Sequence, residues 1–416
     1  MKILMYGWEF PPIQSGGLGV ACKGIVEGLL GHQHEVFLIL PKTTPAMQMA
    51  SGSFKIFSAS ESGGGVEVTA ISTGLYSPYA TSEVGYQNHL KEILMKEEPQ
   101  AIYGKNMMEE VHRYASQASF HAKTVPHEVI HMHDWLTAEA GVQAKKISGQ
   151  PLVMHVHATE FDRSGENPNQ QVYDLEKRGM EHSDRVIAVS QYTKEMLQKY
   201  YGVPEWKIDV VHNALSDHPL YAKGQPLEKK DKIVLFLGRM TMQKGPDYFL
   251  QMAKRVLSHM PNVKFVMAGD GDMMERVIQL SIQLGIERNV LFSGFLKGED
   301  IAQAYSRADL YVMPSVSEPF GITPLEAIRQ GTPVLISKQS GVSEAIKSAL
   351  RVDFWDVEEM TEKVIAALSY PALTQVLQEG GQRELENMSW GKQAGQIVDT
   401  YKKAVEARLI APLRQS

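Results

Sequence analysis

The chain of 416 residues contains a single cysteine, Cys22. That count excludes an internal disulfide and a thiolate metal cluster, and it fits a reducing compartment. Cys22 falls on a helical pattern, where a lone buried cysteine behaves as a small apolar residue. No apolar run approaches the ~18 residues of a membrane-spanning helix. Met-Lys leads straight into a strand-like run with no signal-peptide core behind it. Charged helical stretches such as HLKEILMKEE mix both signs, unlike a basic membrane-surface helix. Positive charge is not in excess either: the net charge is −6. Its lysines and arginines are scattered among acids, which excludes nucleic acid as a partner held by phosphate electrostatics. The expectation is a cytoplasmic protein with no transmembrane segment.

What the chain does have is short runs of Val, Ile, Leu and Phe, each followed by a loop and a helical pattern. In the first half they are KILMYGW, HEVFLILP, VEVTAIS, HEVIHMH, QPLVMHVH, DRVIAVS and KIDVVHN; in the second, KIVLFLG, VKFVMAG, VLFSGF, DLYVMPS and TPVLIS. Strands alternating with helices predict an α/β fold, and their continuous apolar character suits parallel sheets covered on both faces. With 43% apolar residues, the chain is too long for one core and long enough for two domains of roughly 200 residues. ALSDHPLYAKGQPLEKKD, rich in Pro, Gly and charge, reads as the linker. The expected organisation is therefore 1–217, a linker at 218–230, a second domain at 231–390, and a helical segment at 391–416 free to pack back on either domain.

Ligands of doubly wound sheets sit at the carboxyl ends of strands, so the strand-to-loop junctions carry the candidates. After the first strand, SGGLG places Gly16 and Gly17 at a helix start, where backbone N–H groups can approach an anion. Alone this fits a tight turn equally well. HMHDW and HVHATEFDR put paired histidines on one strand face. Metal is conceivable there, but Asp134 and Glu160 have no partnering His motif. Core histidines and polar contacts to a sugar rank above it, with Asp134 and His157 at the strand ends. In GRMTMQKGP, Arg239 and Lys244 bracket a loop before a helix, two cations able to neutralise a diphosphate without a metal. Asp270-Gly-Asp272 reads as an ordinary turn. The last junction, SEPFGITPLEA, carries Glu318 in a loop and Glu326 in a pattern that reads as a capping box, with Thr323 as N-cap and Glu326 three residues on. Glu318 has no such explanation.

Taken in order over nearly the whole length, SGGLG, HMHDW, HVHATEFDR, GRMTMQKG and SEPFGITPLEA resemble the retaining glycosyltransferases of the GT-B fold, and within them the glycogen and starch synthases. The resemblance implies two Rossmann-like domains whose parallel sheets face each other across a deep cleft. It implies a nucleoside diphosphate sugar as donor, ADP- or UDP-glucose, and a carbohydrate acceptor, an α-1,4-glucan, with no cofactor and no catalytic metal. Carried over, Arg239 and Lys244 hold the diphosphate, Glu326 the ribose, and Glu318 lies by the transferred sugar. Phe320, Gly321, Ile322 and Thr323 form the rest of the donor-binding stretch, with the Ile322 and Thr323 amides on sugar and phosphate. His157 and Asp134 contact the sugar from the other domain, and Gly16 and Gly17 belong to the phosphate side. One departure is informative: the Lys-x-Gly-Gly-Leu of bacterial glycogen synthases reads here Gln14-Ser15-Gly16-Gly17-Leu18. A same-fold transferase with a small sugar or lipid-linked acceptor is the alternative, followed by a sugar-nucleotide epimerase and a non-catalytic nucleotide-sugar sensor.

Overall fold

The apolar runs pair as parallel strands because both of their faces are covered by helices, which leaves no polar side to alternate. The computed structural model describes residues 1–13, 17–43, 53–59, 107–215 and 231–410. The expected linker, the VEVTAIS run and Gly16 lie outside these residues. Described residues up to Asn213, together with Trp390 onward, form one unit, and Ala214–Ser389 form the other.

The first unit holds β1 (Lys2–Tyr6), β2 (Glu35–Leu40), β3 (Phe54–Ser58), β4 (Val129–His133), β5 (Leu152–Val156), β6 (Arg185–Ala188) and β7 (Ile208–Val210). Its sheet runs β3-β2-β1-β4-β5-β6-β7. The second holds β8 (Ile233–Leu237), β9 (Lys264–Ala268), β10 (Val290–Gly294), β11 (Leu310–Met313), β12 (Val334–Ser337) and β13 (Leu350–Val352), ordered β10-β9-β8-β11-β12-β13. Both orders follow the Rossmann pattern. The strand order reverses between β1 and β4 and between β8 and β11, the positions where such sheets open a crevice for ligands. Apolar runs alone miss β3, whose Lys55 is exposed, and β13, which is three residues long. Among the described residues no helix is long and apolar enough to cross a membrane.

The closing helix, Trp390–Ile410, belongs to the first unit and lies along the helix Gly17–Gly31. Their close approach explains two glycines. A Cβ on Gly24 would stand 2.1 Å from the Trp390 ring, and one on Gly28 would stand 2.4 Å from the Trp390 carbonyl oxygen. His32 Nε2 reaches the Gly391 carbonyl at 2.7 Å, and Lys403 pairs with Asp209 at 2.6 Å. Trp390 is buried at this seam. Trp390→Ala should therefore cost about 3–5 kcal/mol through lost contact and the cavity left behind. A urea midpoint unchanged from the parent protein would contradict that packing.

Candidate active site

In the second unit the loops after β8 and β11, the two central strands, are tied together before any ligand is considered. β8 ends at Leu237, and the chain then passes Gly238 and Arg239. The Met240 amide donates to the Asp270 carbonyl at 2.9 Å, and the Met273 amide returns to the Met240 carbonyl at 2.9 Å. Asp270 Oδ1 accepts the Gly271 amide at 2.8 Å, so Asp270-Gly-Asp272 is a turn that supports this loop. A short 3-10 turn, Met242–Lys244, leads into the helix Pro246–His259 through Gly245 at φ 65°. No side chain fits at Gly245: a Cβ would stand 2.3 Å from the Pro314 carbonyl oxygen, just past the end of β11. The Val316 amide donates to the Gln243 carbonyl at 2.9 Å.

This clamp sets Lys244 beside Glu318. Lys244 Nζ forms an ion pair with Glu318 Oε2, and Ser315 Oγ donates to the same oxygen at 3.3 Å. The Glu318 side chain is 9% exposed and that of Lys244 20%, so solvent screens the pair only in part. The Glu318 backbone is fixed as well. Its amide donates to Gln339 O at 3.0 Å, and its carbonyl accepts from Gly341 N at 2.9 Å. Gly321, at φ 100°, would carry a Cβ 3.1 Å from Glu318 Cγ, so the turn beyond the carboxylate requires glycine. Phe320 is buried, and its carbonyl accepts the Val342 amide at 2.7 Å.

The capping box expected at Thr323 and Glu326 is not formed. The helix Thr323–Arg329 is preceded by Ile322, itself in helical conformation. The Glu326 amide, which a Thr323 cap would have taken, donates to the Ile322 carbonyl at 3.1 Å. Thr323 Oγ1 instead accepts from the Tyr311 hydroxyl at 2.9 Å, and Glu326 Oε2 accepts from the Tyr305 hydroxyl at 3.0 Å. Burial raises the Glu326 carboxyl above the ordinary range, opposed by Tyr305 and Arg329. Arg239, Lys244, Glu318, Phe320, Gly321, Ile322, Thr323 and Glu326 thus all lie on or beside the two loops of one switch point. Tyr305, Tyr311 and Ser315 carry no sequence signal of their own.

The first unit holds the histidine motifs. In the register of β4 on β5, His133 is paired with His155. His131 stacks on His133 and His155 on His157, each at 4.3 Å. His133 Nδ1 lies 2.9 Å from His157 Nε2, and His131 Nδ1 lies 2.5 Å from the hydroxyl of Tyr401 on the closing helix. His131, His133 and His155 bring ring nitrogens within 4.8 Å of one another, close enough to raise the question of a metal ion. Yet planes within 10° to 28° of each other keep the in-plane lone pairs of stacked rings parallel rather than convergent. Asp134 is bound up in the backbone. It sits at φ 55° and Oδ1 accepts the His157 amide at 2.6 Å and the Ala158 amide at 3.4 Å. Glu160 pairs with Arg163 at 3.0 Å, and Arg163 reaches Glu176 at 2.6 Å, a buried network that sequence spacing did not flag. Gly17 opens its helix exposed, with nothing within 4 Å of where a Cβ would stand.

The family model for glycosyl transferases group 1 matches residues 218–384, and that for the starch synthase catalytic domain matches residues 2–208. An uncharacterized glycosyltransferase of Methanocaldococcus jannaschii is 30% identical over 98% of this chain and 99% of its own. A D-inositol 3-phosphate glycosyltransferase of Segniliparus rotundus is 28% identical over 69% of each chain. Glycogen synthase of Mycobacterium tuberculosis is 24% identical over 90% of this chain and 88% of its own. Among solved structures, sucrose-phosphate synthase from Thermosynechococcus elongatus superposes with a TM-score of 0.74 at 18% identity, covering 98% of this chain and 99% of its own. Anabaena HepE in complex with UDP-glucose gives 0.68 at 18%, covering 97% and 99%. Both share this α/β fold of two parallel sheets.

Burial also makes the first unit sensitive to acid. It pushes His131 and His157 down to about 3 and holds His133 and His155 well below their ordinary value of 6.5. Below about pH 6.5 the unfolded chain then binds protons that the folded chain refuses, so stability falls as pH drops toward 3. Asp134 and Glu176, pushed up to about 7 by burial, act in the opposite sense, because above their unfolded pKa the folded chain still holds their protons. Four rings outweigh two carboxyls. Urea unfolding of this unit should weaken from pH 6.5 to 5, by about 1 kcal/mol per pH unit for each uncompensated ring. His131→Phe should flatten the slope, and a midpoint independent of pH would contradict the buried neutral stack.

Proposed function

The chain belongs to the group 1 glycosyltransferases, and from that membership we propose that it transfers glucose from ADP- or UDP-glucose to an α-1,4-glucan with retention of anomeric configuration. The observation that carries this reading is the Lys244–Glu318 ion pair, held between the loops that follow β8 and β11. A nucleoside diphosphate leaves only if its developing charge is met. Lys244 supplies a point charge already fixed in place and Arg239 a guanidinium fork on the same loop, so little reorganisation is left for the moment of reaction. No divalent ion is then required. Glu326, held by Tyr305 through one oxygen, keeps a second oxygen for the ribose hydroxyls. The first amides of the helix Thr323–Arg329 have no carbonyl within that helix to bond and suit sugar or phosphate oxygens.

Retention can arise by double displacement or by front-face attack in which the departing phosphate takes the acceptor's proton. Glu318 is bound by an ammonium and a hydroxyl on the same oxygen, an arrangement that weakens it as a nucleophile. Front-face attack is therefore the proposed route, with Glu318 countering positive charge at the anomeric carbon. His157 and Asp134 are assigned to the transferred sugar, Asp134 chiefly through the His157 and Ala158 amides that it orients. The glucan acceptor rests on the glycogen synthase likeness. The D-inositol 3-phosphate relative, with higher identity over a shorter stretch, favours a small phosphorylated acceptor as the second reading.

Nucleotide release from ADP-, UDP- and GDP-glucose should be followed against glycogen, maltose, sugar phosphates and inositol phosphate. Glycogen should give the fastest release and inositol phosphate none; the reverse result selects the small acceptor. Glu318→Gln and Lys244→Met should each lower kcat about 10²- to 10³-fold, as loss of a single preorganised group does, with the fold intact by circular dichroism. Glu326→Ala should raise donor KM and also cost about 1–3 kcal/mol of stability, because Tyr305 loses its acceptor. Full turnover by the Lys244 and Glu318 variants would remove the assignment.

A further inference from the structure

Two of the four stacked histidines, His133 and His157, are linked by a hydrogen bond whose direction can be worked out. His133 Nδ1 and His157 Nε2 are 2.9 Å apart, with ring centroids 5.2 Å apart and planes 29° apart. That separation sets these two rings edge to edge, so the shared proton lies along the line between the nitrogens. Stacking at 4.3 Å of His131 on His133 and of His155 on His157 holds both planes. The other nitrogen of His133, Nε2, faces Cys22 Sγ at 4.0 Å. All three side chains lie at 9% exposure or less.

A neutral imidazole carries one N–H and one lone pair, so fixing either nitrogen fixes the other. Burial, with Glu9 nearby, pushes the Cys22 thiol up to about 12, and it keeps its proton. Sulfur is a weak acceptor and imidazole nitrogen a good one, so the thiol donates. The opposite polarity would spend a ring N–H on sulfur. We propose that His133 is a positioning residue: Cys22 S–H donates to His133 Nε2, His133 Nδ1–H donates to His157 Nε2, and His157 is thereby locked as its Nδ1–H tautomer. His157 Nδ1 has no partner among the described residues. Its proton is the one left to donate to an oxygen of the transferred sugar, a step that rests on the assignment of His157 under the proposed function. The tautomer itself does not rest on it.

Long-range proton–nitrogen correlation spectra of the full chain carrying isotopically labelled histidine read each tautomer directly, with His157 identified by the signals lost in His157→Gln. The parent protein should show His157 protonated at Nδ1. His133→Leu, which removes the donor, should move the proton to Nε2 and lower kcat about tenfold, the size of one net hydrogen bond, with donor KM little changed. His133→Asn places an amide donor near the lost Nδ1 and should restore both. Protonation of His157 at Nε2 in the parent protein would overturn the proposal without any variant, as would a tautomer indifferent to His133→Leu. If the tautomers behave as expected while His157→Gln turns over at full rate, the lock stands, and the sugar contact assigned to His157 fails instead.

Discussion

The ion pair between Lys244 and Glu318 depends on an approach of two loops that only glycine permits. Gly245 lies so close to the Pro314 carbonyl that a Cβ would stand 2.3 Å from its oxygen, and the Val316 amide closes the same gap onto Gln243. The backbone on both sides is committed before the charged side chains meet. Gly321, the Gln339 carbonyl and the Gly341 amide extend that constraint to Glu318. The charges need not organise the site, because strand order and backbone contacts place them. A cation held in this way is of more use to a leaving diphosphate than one recruited from solvent.

The first unit solves a different problem with buried neutral groups. Four imidazoles stand on or at the ends of adjacent strands, two of them fully enclosed at 0% and 1% exposure with ring nitrogens unpartnered among the described residues. This arrangement is tolerable only while the rings stay uncharged. Asp134 has exchanged water for the amides of His157 and Ala158, at the cost of a left-handed backbone at φ 55°. Such strain at a strand end is commonest where geometry serves binding. The closing helix contributes Tyr401 to this stack and Trp390 to the seam beside it, so it supports β4 and the helix Gly17–Gly31 together.

Much of this was legible in the sequence. Continuous apolar runs marked the buried parallel strands, and strand-to-loop junctions marked Arg239, Lys244, Glu318 and the histidine pairs. Legibility stopped where a partner came from elsewhere in the chain. A capping box is a local pattern, and Thr323-Pro-Leu-Glu326 satisfies it in letters, yet hydroxyls of Tyr305 and Tyr311 engage its two side chains. At Thr159 the equivalent reach does occur, with Asp162 Oδ2 accepting the Thr159 amide at 2.7 Å. His-x-His likewise predicts two rings on one face, but the stack needs the register of β4 on β5, and so does the contact between His133 and His157.

The central claim is that Lys244 and Glu318 act on the donor as one unit. A double-mutant cycle on kcat/KM, with Lys244→Met, Glu318→Gln and the pair, measures that directly. The account predicts that the double variant is hardly worse than either single one, a coupling of about 3–4 kcal/mol, nearly the whole effect of one single variant. Single effects that add to within about 0.5 kcal/mol would contradict it and leave the ion pair as loop scaffolding.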